Sequence, residues 1–104
     1  MSADAGAIPV LVALVRDGSP KQTESSRRRT AALYHLAFTA QNRVAIAEAG
    51  GIPVLVALAS QGTTLQKEKA ASALSNLALN AGNQVLIVVL LRVGHLINVV
   101  AAYG

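Results

Sequence analysis

Ala49-Gly50-Gly51-Ile52-Pro53-Val54-Leu55-Val56-Ala57-Leu58 has an earlier copy in the chain, Ala5-Gly6-Ala7-Ile8-Pro9-Val10-Leu11-Val12-Ala13-Leu14, which differs only in Ala7 for Gly51. The copies stand 44 residues apart. Two later matches stand 41 apart: Ala32-Leu33-Tyr34-His35-Leu36-Ala37 with Ala73-Leu74-Ser75-Asn76-Leu77-Ala78, and Gln41-Asn42-Arg43-Val44-Ala45-Ile46 with Gly82-Asn83-Gln84-Val85-Leu86-Ile87. The change of spacing places a three-residue insertion in the first copy, between about Thr23 and Arg28. Three residues make almost one helical turn, so the insertion can lengthen a helix with little rotation of its apolar face. Tandem units of this length indicate a solenoid or a propeller.

The period inside the units favours helices. Ala70, Ala73, Leu74, Leu77 and Ala78 fall at i, i+3, i+4, i+7 and i+8, and Ala32, Leu33, Leu36 and Ala37 follow the same rule. No alternating strand pattern flanked by hairpin turns occurs, which disfavours a propeller blade. Gly50-Gly51 reads as a helix end, and Pro53 as a residue of a first helical turn, where a missing N–H is tolerated. Ser19-Pro20-Lys21-Gln22 and Thr63-Thr64-Leu65-Gln66 each fit a capping box. A unit is therefore expected to hold a short helix from Asn42 to Ala49, a second from Pro53 to Ser60, and a third and longest from Thr64 to Asn80.

A helix ending in Ala49-Gly50-Gly51, followed by Ile52-Pro53-Val54-Leu55-Val56-Ala57-Leu58 and then Lys67-Glu68-Lys69-Ala70-Ala71-Ser72-Ala73-Leu74-Ser75-Asn76-Leu77-Ala78, resembles the armadillo repeat. HEAT repeats, the nearest competitor, usually lack the Gly-Gly-Ile-Pro junction. The resemblance implies an all-α, right-handed α-α superhelix over residues 1–104 as one domain. Its parts are a partial repeat (about 3–40), a full one (41–80) and a partial, atypical one (81–104). In the third unit Ile97 stands at the proline position and the acidic residue equivalent to Glu48 is missing. Its first and second helices are thus expected to fuse from Asn83 towards Tyr103, with Gly94 as the weak point, or to exchange between two chains.

Composition limits the chemistry. The chain of 104 residues is 53% hydrophobic, 3% aromatic and 13% charged, with no cysteine and no tryptophan. Disulfides, thiolate metal sites and cysteine nucleophiles are excluded. The opening residues lack the pattern of a secretory signal, and with the missing cysteines this leads to an expected cytoplasmic or nuclear location. The apolar run Val85–Leu91 is too short to cross a bilayer, which takes about 20 residues, so a buried helix and no membrane association are expected. Apolar ends on a repeat array predict homo-oligomerisation through Val85, Val88, Val89, Leu91, Leu96, Val99 and Val100.

Catalytic candidates are sparse. His35 and His95 stand in non-equivalent units without a carboxylate at helical spacing, and the acids Asp4, Asp17, Glu24, Glu48 and Glu68 are scattered singly. No nucleophile-elbow, phosphate-loop or zinc-protease motif occurs. Neither enzymatic activity, nor a cofactor, nor a metal site is expected. Arg27-Arg28-Arg29 and a net charge of +4 raise nucleic-acid binding. Consecutive residues on a helix point about 100° apart, however, so three arginines cannot line one phosphate track.

Armadillo proteins line a concave groove with their third helices, where an Asn near the helix middle bonds the backbone of an extended peptide. The resemblance carries that role to Asn76, with His35 at the matching position of the first unit. Lys69, Ser72, Asn76 and Asn80 form a stripe at i, i+3, i+7 and i+11, matched by Arg28, Ala31, His35 and Thr39. An amide can serve both the N–H and the C=O of a peptide backbone. Nuclear-import members carry Trp where this chain has Ser72 and Ala31. That departure and the cations Arg28 and Lys69 favour an acidic segment over a basic one. Alternatively, Asn76 bonds only a neighbouring helix.

Overall fold

The computed structural model describes residues 3–18 and 24–103. They form six helices: α1 (Ala3–Gly18), α2 (Glu24–Leu36), α3 (Ala40–Glu48), α4 (Gly51–Gln61), α5 (Thr64–Leu77) and α6 (Ala81–Tyr103). No strand occurs among the described residues. The three helices α3, α4 and α5 are the complete unit expected from the sequence.

Two glycines make the turn between α3 and α4. Gly50 has φ +79°, a left-handed conformation that costs a residue with Cβ roughly 1–2 kcal/mol. Gly51 opens α4 against the end of α3, where a Cβ would lie 2.5 Å from Ile46 Cγ2 and 2.9 Å from the Ile46 carbonyl oxygen. The pair of helices meets at 87°, and Pro53 falls in the first turn of α4, where its absent N–H breaks no helical bond. The copy at Pro9 behaves differently from the expectation. Gly6-Ala7 does not break the chain, α1 runs through, and Pro9 lies inside it, where it has no N–H to donate to the carbonyl four residues back.

The capping box at Thr63 is formed. Gln66 N–H donates to Thr63 Oγ1 at 3.2 Å and Thr63 N–H donates to Gln66 Oε1 at 2.9 Å. Its counterpart at Ser19–Gln22 lies outside the described residues. α5 stops at Leu77 and not at Asn80, because the chain turns there so that Asn80 Oδ1 can accept from Asn83 N–H at 3.0 Å and cap α6. Over the described residues α2, with 13 residues, is no longer than α5, with 14, so the insertion does not extend it there.

α4 folds back on α5, α1 on α2, and the two hairpins stack with α2 beside α5 and α1 beside α3 and α4. The extents of 50 × 33 × 18 Å fit a slab two helices thick, given a helix diameter of about 10 Å. One core of Ile8, Val12, Leu33, Ile46, Ile52, Leu55, Leu58, Ala70, Ala73 and Leu77 runs between the layers, each at most 1% exposed. Burying a side chain of Leu or Ile size contributes roughly 1.5–3 kcal/mol.

α6 is unbroken through Gly94, so the expected fusion is present. It is not the buried helix expected from the run Val85–Leu91. Asn83, Ile87 and Leu90 face the body, mainly α4, while Val85 is 65% and Val89 49% exposed. Without a break like Gly50-Gly51 the chain cannot fold a second helix over the first, and the apolar run stays uncovered. No single helix among the described residues is long and apolar enough to cross a membrane.

Candidate functional site

Neighbouring α2 and α5 carry the stripes picked out in the sequence. Arg28, His35 and Ser72 are exposed, and Ala31, Lys69 and Asn76 are half-buried. Three pairs are thus kept on accessible helical positions: Arg28 with Lys69, Ala31 with Ser72, and His35 with Asn76. The fourth pair leaves the stripe. Thr39 and Asn80 lie past the ends of α2 and α5, and both side chains cap the next helix, Thr39 Oγ1 by accepting from Asn42 N–H at 3.2 Å. An expectation based on a longer third helix misplaced them, since a helical stripe cannot continue through a turn.

The two helices are tied across their junction by a cation over a ring. Lys69 Nζ of α5 sits 4.9 Å from the centroid of the Tyr34 ring of α2, a contact worth roughly 0.5–1 kcal/mol at a partly exposed site. Tyr34 also heads a small aromatic cluster at the end of α2. Its ring centroid lies 5.1 Å from that of His35 and 5.1 Å from that of Phe38, the latter edge-to-face. Phe38 remains 53% exposed, and its repeat equivalent Leu79 is 69% exposed. Neither Tyr34 nor Phe38 belongs to the stripes picked out in the sequence. The signal that they act together is their spacing with His35, i, i+1 and i+4, which gathers three rings at one helix end.

Arg43 was missed altogether. Its Nε donates to the Ala37 carbonyl at 2.8 Å and Nη2 to the Phe38 carbonyl at 3.0 Å. The guanidinium thereby satisfies carbonyls that the end of α2 leaves free, and it holds the aromatic cluster in place. Only the folded turn brings a side chain five and six residues on back to those carbonyls. Of the arginine run, Arg27 and Arg28 are exposed while Arg29 is half-buried. Among the described residues no group of three His, Cys, Asp or Glu is placed to hold a metal ion.

Stacked helical hairpins with equivalent residues at equivalent places define an all-helical tandem-repeat protein with one complete unit. Residues 39–79, which are the Thr39 cap, α3, α4, α5 and the turn after it, match the Armadillo/beta-catenin-like repeat. That match covers residues 39–79 and identifies this unit as armadillo-like, a repeat that suggests a protein-interaction module in general. No curated protein and no solved structure gives a significant match to the chain.

Proposed function

We propose that the chain holds an extended, acidic polypeptide segment along the adjoining faces of α2 and α5, as one stretch of a right-handed superhelix. The observation that carries this reading is the Lys69–Tyr34 contact, which ties the two third helices together at the stripe and sets a cation beside exposed aromatic surface. Arg28 and Lys69 attract carboxylates, Asn76 and His35 pair with the peptide backbone, and Phe38 with Leu79 offers apolar contact to intervening side chains. Two stacked units reach about four to six extended residues at roughly 3.3 Å each, so the affinity for a single segment is weak.

The role is binding without catalysis, cofactor or metal, in the cytoplasm or nucleus. Arg27–Arg29 serve as solvated charge at the start of α2 and not as a nucleic-acid site, since consecutive residues on a helix point about 100° apart. Fluorescence anisotropy with a labelled Asp/Glu-rich peptide containing aliphatic residues tests the reading. Asn76→Ala combined with Lys69→Ala is expected to raise Kd about tenfold or more, the equivalent of about 1.4 kcal/mol. Unchanged binding in the double variant would refute the groove.

A further inference from the structure

Repeat-equivalent residues that differ in burial report what a neighbouring helix covers. Ala70, Ala73 and Leu77 of α5 are fully buried, yet their equivalents Arg29, Ala32 and Leu36 of α2 are only half-buried. That flank is covered by α2 in the second unit and open in the first. The converse holds for Ser26 and Thr30, buried in α2, whose equivalents Lys67 and Ala71 are exposed on α5. Each open flank carries a cation where the interior interface has a small residue: Arg29 for Ala70, and Lys67 for Ser26. A second copy stacked end to end in the chain's own repeat register would bring Arg29 and Lys67 into one interface, and like charges there oppose the contact.

α6 has no such guard. Leu86, Val89, Val93, Leu96, Val100 and Tyr103 recur at alternating spacings of three and four along it, the pattern of a two-helix seam. At 100° per residue Leu86, Val89, Val93 and Val100 point roughly 100° away from the stripe of Asn83, Ile87 and Leu90 that meets the body. The described side chains of the seam are open to solvent: Leu86 41%, Val89 49%, Val93 46% and Val100 66% exposed. α6 contains no Asp or Glu, and its one Lys or Arg, the exposed Arg92, stands beside the seam at the rim.

We propose that α6 pairs along this seam with α6 of a second copy, forming a closed twofold dimer. Charge selects the occupant. A seam without charge gives a foreign acidic or basic partner nothing to complement, whereas the same seam in a second copy matches it in polarity and length. A twofold closes the contact, because each apolar strip covers its own equivalent. The charged flanks of α2 and α5 stop further growth. The dimer leaves the α2–α5 face open and is independent of what that face binds.

Light scattering at concentrations on the order of 100 µM is expected to give the mass of two 10.7 kDa chains. Val93→Glu with Val100→Glu places carboxylates in the seam and is expected to weaken association at least roughly 100-fold. Both sites are exposed, so circular dichroism should show the helices retained. Leu79→Glu, at a 69% exposed position outside α6, should leave the dimer intact. The proposal is overturned by a monomeric wild-type mass or by mass that climbs past two chains. It is overturned equally by a Val93/Val100 variant that still dimerises, by dissociation of Leu79→Glu, or by co-sedimentation with phosphatidylcholine vesicles in place of the dimer.

Discussion

The junction of α3 with α4 and the middle of α6 occupy equivalent places in successive units and have opposite outcomes. At the first, Gly50 adopts φ +79°, Gly51 lets α4 start in contact with Ile46, and the chain turns by 87°. Ile52, Leu55 and Leu58 then close over the preceding helices and lose all but 1% of their exposure. At the second, Gly94-His95-Leu96-Ile97 provides one glycine and no proline, and α6 continues for 23 residues. Val93 and Val100 on it stay 46% and 66% exposed. Apolar residues alone therefore do not make a core. A backbone break that folds one apolar helix over another is needed as well.

Pro9 supplies the control for this comparison. It sits in a near-copy of the α4 start, yet α1 runs straight through it from Ala3. The copy differs at Ala7, exposed where Gly51 is buried. A Cβ at Gly6 would meet nothing within 4 Å, whereas Gly51 is pressed against Ile46, so no close packing favours a sharp turn at Gly6. Proline permits the break but does not cause it.

Three variants can break or sharpen the comparison. Leu55→Ala, at a fully buried site of α4, is expected to cost about 2–5 kcal/mol in urea unfolding. A loss under about 1 kcal/mol there would mean the fold-back is not the centre of stability. Gly51→Ala forces a Cβ against the Ile46 carbonyl, which cannot rotate away, and is expected to cost about 1–3 kcal/mol by the same measurement. The smallest effect on global stability is expected from giving α6 the missing break, His95→Gly with Ile97→Pro. The break falls past Asn83, Ile87 and Leu90, the α6 residues that meet the body, while helical ellipticity should fall as proline disrupts the end of α6. A large global loss instead would show that the far half of α6 holds the body together.

Much of the site was readable because it repeats. Equivalent positions at a spacing of 41 paired Arg28 with Lys69 and His35 with Asn76, and the helices present those pairs on neighbouring elements. Thr39 and Asn80 were misplaced because capping competes with helix propagation for the same residues, and spacing alone does not say where a helix yields. Arg43 and the Lys69–Tyr34 contact were not readable. Both depend on how a turn or a second helix carries a long side chain to a distant partner.

The sequence by itself determined the helical class, the tandem units, the glycine–proline punctuation and the capping box at Thr63. These are local properties, set by apolar period, backbone freedom and residues three apart. Tertiary structure decided that Gly50-Gly51 turns the chain whereas Gly6-Ala7 does not, that Arg43 closes the end of α2, and that the run Val85–Leu91 buries Ile87 but leaves Val85, Val88, Val89 and Leu91 exposed. Each of those outcomes turns on which helix lies alongside, because burial, unlike helix formation, needs a second surface.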